Sequence, residues 1–194
     1  MNKKLENLAK LPSFTTTQAV RLGISKRMLS YYVQKGELNR IARGVYCSTD
    51  YQSTQSDYHW EDLAIAASNI NGGIICLTSA LVYYGLTDEV MRNFWIAVHY
   101  NNSKAKFPMT NIVRMRNIKL GVQEVEMSGI KVKIFDVERT IVDSFRLLSF
   151  ETAMKALKLY LQGATGKPDF NKMSQYIREL RASKVSGYIR ALTV

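Results

Sequence analysis

Between Ser25 and Gly36, the residues Lys26, Arg27, Ser30 and Tyr31 recur at a spacing that gathers them on one face of a helix. Met28, Leu29, Tyr32 and Val33 fall on the opposite face. The first group is a set of hydrogen-bond donors beside an aromatic ring. Guanidinium and ammonium groups fit the O6 and N7 acceptors of guanine, and a serine hydroxyl serves several base edges. Further on, Arg40 and Arg43 flank Ile41-Ala42, and arginines so placed suit phosphate oxygens or a minor groove. Arg21 and Lys35 add phosphate-neutralising charge, while Thr16 and Ser25 add hydroxyls at helix starts. Together these ten side chains point to the chemistry of double-stranded DNA. The plainer alternatives are an exposed basic helix face and a hairpin carrying two solvated arginines.

Such residues need elements to aim them. Leu5, Leu8, Ala9 and Leu11 keep helical spacing, so residues 3–10 are expected to form a short helix that Pro12 stops. A threonine within Thr15-Thr16-Thr17 caps a second helix running to Leu22. Gly23 turns the chain, Ile24 is buried in the turn, and Ser25 caps a third helix over 26–35. Leu38 to Ile41 and Val45-Tyr46 then read as two short strands bent at Arg43-Gly44. Helix, glycine turn, helix and hairpin make a winged helix-turn-helix, in which the last helix enters the major groove and the hairpin is the wing.

Charge divides the chain. Residues 1–50 carry 9 Lys/Arg against 3 Asp/Glu, whereas residues 51–100 carry 1 against 5. Residues 101–150 carry 9 against 5, and 151–194 carry 8 against 3. The overall +11 favours a polyanionic partner. The sign change, with the polar stretch 48–57, predicts a linker between a DNA-binding domain over 1–50 and a second domain over 58–194. A hydrophobic content of 46% supports a folded core. No apolar run has the ~18 residues a membrane span needs, and the start lacks a signal peptide's apolar core. A cytoplasmic protein without membrane attachment is expected. Cys47 and Cys76 lack metal-ligand spacing and read as packing residues.

The second domain is expected to be a mixed sheet flanked by helices and followed by a helical tail, so the fold class is α+β. Helices are expected over 61–70, 136–148, 150–162, 170–182 and 185–192, and another capped by Thr78-Ser79 and running to Tyr84. Strand candidates are 73–77, 94–98 and 112–115, with 122–127 and 130–135 forming a hairpin across Ser128-Gly129. Catalytic patterns are weak. Asp136, Glu138 and Asp143 with Arg139 read as a capping and salt-bridge cluster at a helix start. Glu124 and Glu126 opposite Lys131 and Lys133 fit cross-strand pairing better than a metal nuclease. Ser79 has no Gly-x-Ser-x-Gly frame, His59 and His99 stand singly, and there is no phosphate-cradling glycine loop. No catalytic residue, metal or cofactor is expected. The tail is basic through Lys155, Lys158, Lys172, Arg178, Arg181, Lys184 and Arg190; Lys155, Lys158, Arg178 and Arg181 are singled out as a second basic surface, against the plainer reading of solvated helix faces.

Three blocks carry a resemblance. Phe14-Thr15-Thr16-Thr17-Gln18-Ala19 with Leu22-Gly23-Ile24-Ser25 and Arg40-Ile41-Ala42-Arg43-Gly44-Val45-Tyr46 is the first. Leu77-Thr78-Ser79-Ala80-Leu81 with Tyr84-Gly85-Leu86-Thr87 is the second, and Glu138-Arg139-Thr140-Ile141-Val142-Asp143 the third. In this order they resemble the AbiEi family of antitoxins and transcriptional autorepressors from abortive-infection operons. The resemblance implies a type IV toxin–antitoxin role in phage defence. The winged helix would bind inverted repeats in its own promoter. The second domain would counter a nucleotidyltransferase toxin without forming a stable complex with it. No dimerisation helix stands out, so a monomer in solution that binds DNA cooperatively is expected. The alternatives are a second domain that is an enzyme modifying the toxin or its target, and a stand-alone transcriptional regulator.

Overall fold

The computed structural model describes residues 3–51, 58–102 and 106–193. The central part of the expected linker, 52–57, lies outside them. Among the described residues there are two sheets, and their strand order separates the chain's first quarter from the rest. The amino-terminal part runs α1 (Lys3–Ala9), β1 (Phe14–Thr15), α2 (Thr16–Arg21), α3 (Lys26–Gln34), β2 (Leu38–Ala42) and β3 (Val45–Ser48). Strand β3 lies between β1 and β2, antiparallel to both. Leu5, Leu8, Phe14, Ala19, Ile24, Leu29, Leu38 and Tyr46 form one buried cluster, closed by Phe14 stacked on Tyr46 at 6.0 Å. Mixed α and β elements thus follow the expected class, and the helix–turn–helix–hairpin order fits a winged helix.

The remaining elements are α4 (Tyr58–Asn69), β4 (Ile74–Ile75), α5 (Leu77–Tyr83), β5 (Phe94–His99), β6 (Thr110–Met115), β7 (Val122–Met127), β8 (Ile130–Phe135), α6 (Val137–Leu147), α7 (Phe150–Leu161), α8 (Phe170–Glu179) and α9 (Lys184–Thr193). The second sheet has the order β6-β5-β4-β8-β7 and is mixed: β5–β6 and β4–β8 are parallel, β4–β5 and β7–β8 antiparallel. Alternation along the strands supplies two cores. Ile75, Ile96, Val98, Val132 and Ile134 pack with Leu63, Ala66 and Ala67 of α4 and with Ile70 just after it. Ile74, Ala97, Met115 and Phe135 share a cluster with Cys76 and Leu77 at the start of α5. A further cluster joins Leu81 of α5 and Ile141 and Val142 of α6 to α7, α8 and α9 through Leu157, Tyr160, Met173, Ile177 and Val185. The helical tail is therefore packed against the body through α6.

The hairpin β7–β8 turns at Ser128 and Gly129, both at positive φ, as a two-residue type I′ connection needs. Glu124 stands directly opposite Lys133, and Glu126 opposite Lys131, which is the cross-strand arrangement expected from the alternation. Two expectations are corrected. The strand at 73–77 is only Ile74–Ile75, because the chain enters α5 at Leu77. Thr78 and Ser79 do not cap α5; Cys76 occupies the N-cap without a side-chain bond, and both hydroxyl residues lie buried in the first turn. Ser79 Oγ instead accepts the Trp95 N–H at 2.9 Å, pinning α5 to β5.

Candidate nucleic-acid interface

Helix α2 starts with a reciprocal cap. Thr15 Oγ1 accepts the Gln18 N–H at 3.2 Å, and Gln18 Oε1 accepts the Thr15 N–H at 2.6 Å, so two end-of-helix donors are satisfied at once. At its other end the Ile24 N–H reaches the Ala19 carbonyl and the Gly23 N–H the Val20 carbonyl. This is a Schellman turn. Gly23 sits at φ +81, where a Cβ is disfavoured. The turn buries Ile24 and delivers Ser25, whose Oγ accepts the Met28 N–H at 3.2 Å to cap α3.

Helix α3 then divides as its spacing requires. Leu29 is fully buried, with Met28, Tyr32 and Val33 packed against the same core. Lys26, Arg27, Ser30 and Tyr31 are exposed together, Tyr31 to 50%. The Ser30 hydroxyl donates back to the Lys26 carbonyl at 3.2 Å. Lys35 closes the helix with its ammonium 5.1 Å from the Tyr31 ring. The hydrogen bond and charge of Tyr31 hold that ammonium above the usual lysine range, so Lys35 stays cationic at neutral pH.

The wing is fixed to this frame. The Gly44 carbonyl accepts both the Thr16 N–H at 2.8 Å and the Thr16 hydroxyl at 3.2 Å. A Cβ at Gly44 would stand 3.2 Å from that hydroxyl, so the wing tip and the start of α2 meet closely. The register between β2 and β3 shifts between Arg40 and Ala42. Arg40 spans that irregularity, its Nε donating to the Ala42 carbonyl at 3.3 Å, and Arg43 is exposed at the bend. The structure thus brings Lys26, Arg27, Ser30 and Tyr31 onto one exposed helix face, with Arg40 and Arg43 on the hairpin. Arg21 is exposed at the end of α2. Ser25 and Thr16 already have internal partners for their hydroxyls. Phe14–Thr15 as a strand pairing with β3 was not anticipated; two residues are too few for a period to show.

The second basic group is engaged in part by internal partners. Lys155 pairs with Asp88, and Lys172 bridges Asp136 and Glu138 at 3.1 Å each. Lys158 and Arg178 are exposed, and Arg181 lines a cleft with Arg114, Arg116 and Arg146. The side chains of His59 and Arg190 lie outside the described residues. His99 lies tilted against Tyr100, ring centroids 4.6 Å apart, and accepts the Asn101 N–H on Nδ1. Burial pushes the thiols of Cys47 and Cys76 up, Cys76 well above the usual range, which leaves both as weak nucleophiles. Among the described residues no group of three His, Cys, Asp or Glu is placed to hold a metal, and no helix is long and apolar enough to cross a membrane.

Residues 4–49 match the family model described as transcriptional regulator, AbiEi antitoxin. The amino-terminal unit is AbiEi-like. The match begins within α1 and ends after β3, so it takes in the capped helix pair and the wing as one piece. The blocks at 77–87 and 138–143 lie beyond the AbiEi match. No curated protein matches the chain.

Proposed function

We propose that this protein is a DNA-binding transcriptional autorepressor that doubles as the antitoxin of a type IV toxin–antitoxin pair. The observation that carries this reading is the exposed Lys26–Arg27–Ser30–Tyr31 face of a doubly capped α3, beside a wing tied to α2, within the AbiEi-matching segment. Residues 1–50 act as the reading domain. Arg27 and Lys26 take base edges, with Ser30 and Tyr31 beside them, while Arg21, Lys35, Arg40 and Arg43 take phosphates. Inverted repeats in the chain's own promoter hold two monomers cooperatively. Residues 58–194 counter a nucleotidyltransferase toxin in the cytoplasm without catalysis. In support, the carboxylates of the helix-start cluster are engaged by internal partners: Asp136 by the Arg139 N–H and the Tyr176 hydroxyl, Glu138 by the Tyr160 hydroxyl, and Asp143 by the Arg139 guanidinium.

The test is Arg27→Ala in the full chain. Losing one good base contact costs ~1–3 kcal/mol, so operator affinity falls about 5- to 150-fold and promoter repression falls with it, while rescue of cells expressing the adjacent toxin is retained. Unchanged operator affinity removes the assignment of α3. Absence of rescue by the unaltered chain removes the antitoxin half and leaves a stand-alone regulator.

A further inference from the structure

Cations converge a second time, in the carboxyl-terminal part. Arg114 and Arg116 at the end of β6, Arg146 in the last turn of α6 and Arg181 after α8 line a cleft of about 530 Å³. Arg146 and Arg181 also line an adjoining cleft of about 360 Å³, whose wall carries Phe145, Phe150 and Tyr188, with Lys184 at its rim. Both are of a size that takes a nucleotide-sized group. Glu179 is the acid lining the first cleft, and its carboxylate accepts the Gln175 amide at 2.8 Å. Arg146 pairs with Asp143, and Arg116 lies 5.6 Å from the Tyr100 ring. Among the described residues, Arg114, Arg181 and Lys184 have no carboxylate within ion-pair distance. The aromatic wall is built: Phe145 and Tyr188 stack at 5.3 Å with 19° between their planes, and Phe150 meets both edge-on. Phe150 is nonetheless 56% exposed.

Arg181 sits there at a conformational cost. Helix α8 ends in a Schellman turn, the Ala182 N–H reaching the Ile177 carbonyl and the Arg181 N–H the Arg178 carbonyl. The left-handed position of that turn falls on Arg181, at φ +54. Helices α2, α3, α5 and α7 end in the same turn, and each places glycine there: Gly23, Gly36, Gly85 and Gly163. A side chain at this position is disfavoured relative to glycine. Arg181 thus departs from the glycine that the other four turns place at this position, and it does so beside the cleft.

We propose that the joined clefts bind single-stranded nucleic acid, with phosphates on Arg114, Arg146 and Arg181 and an unstacked base on Phe150. Guanidinium groups beside an exposed aromatic face are what an unpaired strand needs. A duplex satisfies the arginines through its phosphates but keeps its bases stacked away from the aromatic wall. The site is separate from α3 and the wing, and does not depend on operator binding.

The test uses the full chain and two labelled probes, an unstructured oligoribonucleotide of about ten nucleotides, within the range of known single-strand sites, and the promoter duplex. Arg181→Gly puts glycine where the backbone favours it, so the thermal midpoint holds or rises. Affinity for the single strand falls, and its log K against log salt flattens by ~0.7. Phe150→Ala weakens single-strand binding about 5- to 150-fold, the loss of one base stack, with the salt slope retained. Neither variant alters duplex binding, and Arg27→Ala leaves single-strand binding intact. Failure of the unaltered chain to bind the single strand saturably overturns the proposal. So does indifference of that binding to both variants, or an equal loss on the duplex, which would assign the arginines to duplex phosphates.

Discussion

Arg139 ties several parts of the carboxyl-terminal fold together. It is 1% exposed. Its Nε donates to Asp143 at 2.6 Å, one terminal nitrogen donates to the carbonyls of Asn117 and Leu120 at 3.0 and 3.1 Å, and the guanidinium lies 4.5 Å from the Phe135 ring. Gly121 makes room for it, since a Cβ there would stand 2.8 Å from Arg139 Cβ. Removing one partner of a buried pair leaves an uncompensated charge, at ~3–5 kcal/mol. Arg139→Ala is therefore expected to lower unfolding free energy by that amount in urea titration; a loss below ~1 kcal/mol would mean the pair behaves as a solvated one. Beside it, burial and the hydrogen bonds to Glu138 and Asp136 push the hydroxyls of Tyr160 and Tyr176 well up from their usual 10.0. Each holds its proton more tightly when folded, so its stabilisation is complete below pH 10 and is lost as pH rises above it. Stability is expected to fall from pH 10 upward. Tyr160→Phe with Tyr176→Phe should blunt the fall. The Asp136–Asp143 motif was legible as a cap with a salt bridge. Its partners Lys172, Tyr160 and Tyr176 were not, because they arrive from α7 and α8, 22 to 40 residues away, without local periodicity.

Elements were legible where they were long and punctuated. The amino-terminal helices are bounded by Thr15, Gly23, Ser25 and Gly36, and these residues do cap and turn the chain. The two-residue strand β1 escaped, and β4 was found but read as too long, since alternation needs more than one step to be seen. The start of α5 escaped because Cys76 caps without a side-chain bond, leaving Thr78-Ser79 to mislead. Thr16 tests how far a site can be read from residue type. Sequence places it among the DNA-contacting side chains, whereas the structure has its hydroxyl donating to Gly44 and steadying the wing. Thr16→Val keeps the shape and the backbone bond from Thr16 N–H. It is expected to cost ~0.5–1.5 kcal/mol of stability and to weaken operator binding through a looser wing. Reduced operator affinity at unchanged stability would instead put the hydroxyl on DNA.

At the scale of the molecule, the +11 charge serves more than one end. Lys155 answers Asp88, Lys172 answers two buried carboxylates, and Arg139 and Arg146 answer Asp143. Among the cations that face outward, two sets are gathered by the fold, one on α3 and the wing and one lining the carboxyl-terminal clefts. Salt dependence distinguishes which of them a duplex uses. Each phosphate neutralised contributes ~0.9 to the slope of log K against log salt. If Arg21, Lys35, Arg40 and Arg43 are the phosphate contacts, the slope per bound copy is about −3.6, and Arg43→Ala brings it to about −2.7. Should the slope approach twice the first value, and Arg114→Ala or Arg181→Gly flatten it, then the duplex runs across both groups. The two-surface division would then give way to a single continuous DNA-binding face. A slope unmoved by Arg181→Gly but flattened by Arg43→Ala leaves the duplex on the amino-terminal unit and frees the clefts for a different strand.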